Sequence, residues 1–202
     1  MRAYERLLNY VVIRTPSDEH STTSPSSQCQ FDLARILADE MTALGISDVS
    51  LDEFCYVYGK IPATKGYESK TKLGFIAHMD TVSDFADHAV NPVVHENYDG
   101  KDLKLSESGR TLETAVFPHL ASLAGKTLIT SDGTTVLGAD DKAGVAEIMT
   151  LAEALLAGEF PHGQISIAFT PDEEIGEGAD FFDVPGFDAE FAYTVDLSLI
   201  HI

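Results

Sequence analysis

The sequence predicts an α/β fold, a mainly parallel mixed sheet flanked by helices and carrying a β-rich insertion. Three observations predict it. Residues 73–77 form a short, continuous apolar run, the mark of a strand buried on both faces. Further strand patterns at 164–169 and 191–195 alternate with segments of helical periodicity, which implies a mainly parallel sheet. Between the first strand and the next long helix, residues 93–137 read as β-structure with turns.

The elements follow in order. Tyr4, Leu7, Leu8, Val11 and Val12 repeat at helical spacing and form one apolar stripe, which Pro16 ends. Residues 17–28 are rich in Ser, Thr and Pro and read as an exposed loop. A second helix places Phe31, Leu33, Ile36, Leu37, Met41 and Leu44 inward, with Gly45 as its C-terminal cap. In the β-rich stretch, Asp99-Gly100 and Asp132-Gly133 each sit between extended segments and signal hairpins. Val145, Ile148, Met149, Ala152, Leu155 and Leu156 then define a strong helix that Gly158 closes. There is no internal repeat and no low-complexity tail.

The 202 residues hold 33 acids against 13 bases, a formal net charge of −20. A nucleic-acid partner needs a basic stripe, and none is present. The same charge argues against an anionic membrane surface. No apolar run approaches the ~20 residues that span a bilayer, and Glu5 and Arg6 interrupt what would be a secretion signal. Cys29 and Cys55 have no spacing of a disulfide framework or thiolate metal site and read as reduced thiols.

In open α/β sheets ligands bind at the carboxyl ends of the strands. His78 and Asp80 follow the first strand; Asp172, Glu173 and Glu174 follow the second; Asp196 follows the third. Asp140-Asp141 precedes the strong helix. One imidazole and several carboxylates without thiolates suit zinc, cobalt or manganese in a catalytic site. Each residue taken alone has a plainer reading. The His could be merely hydrogen-bonded, Asp80 a turn-former, Asp140 or Asp141 a helix cap, and the Glu pair solvated loop acids. His20, His88, His95, His119 and His162 sit in loop-like contexts and are assigned no role.

Read as strings, the residues resemble the M20 metallopeptidase family. Phe-Ile-Ala-His-Met-Asp-Thr (75–81), Leu-Gly-Ala-Asp-Asp-Lys-Ala-Gly (137–144), Ala-Phe-Thr-Pro-Asp-Glu-Glu-Ile-Gly (168–176) and Tyr-Thr-Val-Asp (193–196) resemble its motifs, in its order. The resemblance covers residues 1–196 and is closest to the branch that releases the N-terminal residue of tripeptides. It implies two zinc ions per complete subunit, His78 and Asp196 on one, Glu174 on the other, and Asp140 bridging through a cis Asp140–Asp141 bond. It implies that Asp80 orients His78 and that Glu173 is the general base acting on a metal-activated bridging water. Within the family, a deacylase or dipeptidase would share all these residues.

The resemblance also implies small peptide substrates, a cytoplasmic location, and a homodimer made through a lid domain. On that reading residues 1–196 are the N-terminal part of a catalytic domain. The lid, the rest of that domain and a last histidine ligand are absent, so the second zinc site is incomplete and the chain alone is poorly active. Residues 197–202 do not fit the family and read as a non-native tail, which excludes His201 as a ligand.

Overall fold

The computed structural model describes residues 1–197. Most of the expected tail, His201 included, lies outside the described residues. The chain divides into two compact units: Met1–Ser83 together with the segment from Gly138 onward, and Asp84–Leu137. The second corresponds to the expected β-rich insertion.

In the first unit the elements are α1 (Ala3–Val11), α2 (Gln30–Leu44), β1 (Ser47–Leu51), β2 (Val57–Ile61) and β3 (Leu73–His78). The second unit holds β4 (Pro92–His95), β5 (Leu103–Lys104), β6 (Thr111–Leu112) and β7 (Leu128–Ser131). The first unit resumes with α3 (Ala139–Leu156), β8 (Ile165–Thr170), the short α4 (Val184–Phe187) and β9 (Phe191–Thr194).

Among the described residues, the first unit's sheet has the order β1-β2-β8-β3-β9. The three strands legible in the sequence, β3, β8 and β9, are mutually parallel, with His78 level with Thr170 and Ile76 level with Thr194. Their carboxyl ends are therefore aligned at one edge. The β1–β2 pair, which periodicity does not reveal, joins β8 antiparallel and makes the sheet mixed. Its turn carries no Asn-Gly or Asp-Gly signal. Asp52 instead accepts the N–H groups of Phe54 and Tyr56, and Cys55 takes the left-handed conformation at φ 74°.

β8 is buried along its whole length, and α3 packs on β3, α1 on α3, and α2 on β1 and β2. Leu33, Leu37 and Met41 of α2 and Val145, Ile148, Met149 and Ala152 of α3 meet Ile165, Ile167 and Phe169 in one core. Gly45 takes φ 89° and closes α2 as expected.

Three local readings change. Tyr4 in α1 and Val12, which caps it, face solvent at 40% and 42% exposure, while Arg6 is buried. The guanidinium is satisfied there by Glu40, Glu153, Thr150 and the Met1 carbonyl, so a charged residue occupies the inner face that periodicity gave to apolar ones. Ile36 of α2 likewise points outward. The stretch 17–28 is not simply exposed, since Ser17, Pro25 and Ser26 are buried. The backbone beside it accepts the Thr81 N–H at the Thr15 carbonyl and donates the Ser17 N–H to the Thr81 carbonyl, while the Thr15 hydroxyl donates to the Met79 carbonyl.

In the second unit, the Asp-Gly turns are present but do not join paired strands. β4 pairs antiparallel with β7, across a long excursion, and β5 pairs with β6. Asp99 and Asp132 instead cap their own turns by accepting the N–H groups of Lys101 and Thr134. A local turn signal cannot specify which distant strand closes the ladder.

Candidate metal centre

The aligned ends of β3, β8 and β9 bring His78, the 172–174 segment and Asp196 to one edge, and the start of α3 adds Asp140 and Asp141. His78 is buried and ends β3. Its Nε2 lies 3.1 Å from Asp140 Oδ1 and 3.7 Å from Glu173 Oε2. On the other side of the ring, Nδ1 lies 3.3 Å from Asp80 Oδ1 and 3.1 Å from the Asp80 carbonyl. Donation of the Nδ1 hydrogen to Asp80 leaves the Nε2 lone pair for a ligand.

Asp80 is fully buried, and its two carboxylate oxygens also accept the N–H groups of Glu173 at 3.0 Å and Glu174 at 3.1 Å. One carboxylate therefore fixes both the imidazole and the Glu-Glu turn. Asp172 precedes that turn in the left-handed conformation, at φ 55°, and Glu173–Ile175 form a single 3₁₀ turn.

The Asp140–Asp141 peptide bond is cis, as the resemblance implies. Neither residue has helical dihedrals, so regular helix starts after them. Their side chains divide the two readings that the sequence offered. Asp141 is the cap: fully buried, it accepts Gly144 N–H at 3.1 Å and His78 N–H at 3.3 Å. Asp140 is the exposed member, turned to the imidazole.

Among the described residues, potential ligand atoms gather in two groups, each within 4.8 Å: His78 with Asp140 and Glu174, and His78 with Asp141 and Asp196. All four expected ligands occur in these groups. Asp141 is an addition that sequence reasoning gave no ligand role, and both of its oxygens already accept backbone N–H groups. Asp172, noted at the strand end, joins neither group because its carboxylate is engaged elsewhere. None of the five histidines left without a role joins either group.

The electrostatics are those of a site short of positive charge. Burial opposes a charged His78, but the Asp80 carboxylate, with Asp141 and Glu173 beyond it, outweighs burial and pushes its pKa up to about 10. Burial pushes Asp141 up to about 8, with His78 opposing the shift and Asp196 adding to it. Asp140 and Glu174 are also raised, by burial first, against the pull of His78 and with neighbouring carboxylates adding to the rise. Six carboxylates around one imidazole repel one another, and a divalent cation would relieve that repulsion. One borderline nitrogen donor and several hard oxygens fit zinc or a similar ion.

No family model matches the chain. A curated relative, peptidase T of Clostridium perfringens, is 50% identical over 196 residues, 96% of this chain and 48% of its own length. Peptidase T of Desulfitobacterium hafniense is 55% identical over 194 residues. The chain spans about half the length of the curated relatives it matches. A solved tripeptidase from Staphylococcus aureus is 30% identical with a TM-score of 0.66, covering 98% of this chain and 43% of that one.

Proposed function

We infer that this chain, similar to peptidase T along almost all of its length, is the N-terminal part of the catalytic domain of a metal-dependent aminopeptidase that removes the N-terminal residue from tripeptides. One observation carries the reading. The residues of four family motifs, far apart in sequence, converge on a single imidazole at the aligned ends of three parallel strands. His78 and Asp196 would hold one zinc, Glu174 a second, and Asp140 would serve both. Bound ions supply positive charge that polarises a peptide carbonyl and acidifies water.

The chain's own residues do the rest. Asp80 keeps His78 in the tautomer that presents Nε2 to the cluster. Asp141 braces the β3 backbone at His78 against the start of α3. Glu173, half exposed and with its N–H tied to Asp80, takes the proton of the attacking water on a carboxylate oxygen and returns it to the leaving amine. The cytoplasmic location and the homodimer through a lid domain rest on the same likeness. Among the described residues no helix is long and apolar enough to cross a membrane.

The test is a hydrolysis panel of tripeptides, dipeptides and acylated amino acids, run with zinc counted per chain. Cleavage confined to tripeptides, lost on chelation, supports the reading. Preference for dipeptides or acylated amino acids would move the chain to a dipeptidase or deacylase, and activity without metal would end the metallopeptidase reading.

A further inference from the structure

Asp172 is 1% exposed and lies one residue before the Glu-Glu pair. A buried carboxylate is costly unless donors surround it, and here three do. Ser26 donates its N–H at 2.7 Å and its hydroxyl at 2.5 Å, and the Gln30 side-chain amide donates at 2.6 Å. Gln30 is fully buried and returns the contact by accepting Asp172 N–H at 3.3 Å. The Asp172 carbonyl accepts Glu177 N–H at 2.9 Å, closing the turn from the other side. No cation takes part in these contacts.

Their position gives them a purpose beyond packing. At Asp172 the chain leaves β8 and reverses through a left-handed residue, a conformation that aspartate tolerates better than most. The direction of that reversal decides where Glu173 and Glu174 point. Asp80 fixes the next two N–H groups, so residues 172, 173 and 174 are each pinned by a buried carboxylate. Downstream, the Tyr56 hydroxyl donates to the Gly178 carbonyl at 3.2 Å and accepts Phe181 N–H at 3.3 Å. A Cβ at Gly178 would sit 3.1 Å from Glu173 Cα, so the two segments are in close contact.

We propose that Asp172, held by Ser26 and Gln30, is a positioning residue that aims Glu173 and Glu174 at the metal cluster, making the Ser/Pro-rich stretch before α2 a working part of the site. The proposal rests on the metallopeptidase reading above.

The experiment is a cobalt(II) titration of the full chain, followed by the visible absorption band of the bound ion, with circular dichroism to verify folding. Asp172→Asn and Ser26→Ala are the test variants, and Arg6→Met is a destabilised control whose contacts lie elsewhere. Asp172→Asn places an amide donor against the Ser26 N–H or the Gln30 amide and should weaken binding of the second, Glu174-held cobalt ion about 10–100-fold, with an altered band, while the chain stays folded. Ser26→Ala should shift affinity and band in the same direction by less. Arg6→Met should leave both unchanged below its unfolding temperature.

Wild-type affinity and spectrum in a folded Asp172→Asn would overturn the proposal and leave the metallopeptidase reading standing. If Asp172→Asn does not fold, Ser26→Ala decides by the same criterion. A wild-type chain that takes up no cobalt would remove the reading and the proposal together.

Discussion

The Asp80 carboxylate accepts the backbone N–H of Glu173 at 3.0 Å while lying 3.3 Å from Nδ1 of His78. The end of β3 and the Glu-Glu turn are thus joined through one buried side chain, with Asp80 and Glu173 93 residues apart in sequence. Asp80→Ala should therefore do more than free the imidazole. It removes the acceptor of two N–H groups as well as the carboxylate partner of Nδ1, leaving only the backbone carbonyl of residue 80 beside the ring, and metal affinity should fall about 10–100-fold. Calorimetric zinc titration measures this. An unchanged affinity would mean that the imidazole and the turn hold their places without Asp80.

Glu173 and Glu174 are adjacent but have different expected roles. Glu173→Gln keeps shape and removes the proton acceptor, so turnover in a protein carrying the complete site should drop ~10²–10⁴-fold or more with zinc content intact. Glu174→Gln should lower zinc content instead. Equal zinc loss in both variants would show that the roles have been misassigned.

What was legible in the sequence follows a physical division. The parallel strands announced themselves because burial on both faces removes polar alternation, as in β8. The strand ends announced the candidate ligands, since His78, Glu174 and Asp196 stand where an α/β sheet presents side chains. β1 and β2 did not show, because their turn is built on Asp52 and a left-handed Cys55 and not on glycine. Arg6 showed in the sequence only as a charge that interrupts a secretion signal, since nothing local reveals that Glu40 and Glu153 reach it from distant helices. Asp172 and Asp141 sit beside candidate ligands and have the same chemistry, and only three-dimensional pairing shows that their oxygens are already occupied.

Gly144 is required by contact, not by backbone conformation. A Cβ there would run into the Val195 carbonyl oxygen and both carboxylate oxygens of Asp141. Backbone cannot yield as a flexible side chain can, so Gly144→Ala should push the end of β9 away from α3 and displace Asp196 with it. The expected outcome is loss of Asp196 from the cluster, read as reduced zinc per chain together with a lowered thermal midpoint. Normal zinc content in Gly144→Ala would show that the β9 end is free to move without cost.

Arg6 offers a test of stability separate from chemistry. Its guanidinium is 2% exposed and donates at 2.8 Å to both Glu40 and Glu153. Arg6→Met removes the cation and leaves two acids short of a partner. Because the acids are themselves partly exposed and can rehydrate, the loss should be about 2–3 kcal/mol, at the lower end of that for a fully buried pair. Urea unfolding measures it, and zinc affinity should not change.

The last prediction concerns metal stoichiometry in the 202 residues as given. Among the described residues the cluster has one imidazole, shared by both ligand groups. A nitrogen donor cannot serve two ions at once, whereas a carboxylate can. On the proposed assignment His78, Asp140 and Asp196 would supply three ligands, the number typical of a catalytic zinc site. The second ion would have Glu174 and a share of Asp140, too few to hold it tightly against water. One zinc per chain should therefore bind tightly and a second only weakly. Tripeptide hydrolysis should be far slower than in a protein with both sites complete, because half of the charge that polarises the carbonyl is missing. Elemental analysis after gel filtration gives the stoichiometry, and a shortened chain ending at Asp196 removes any contribution of His201. Two tightly held zincs in that shortened chain would require a further ligand. Asp141 is the neighbouring candidate, and Asp141→Asn would then have to abolish the second ion.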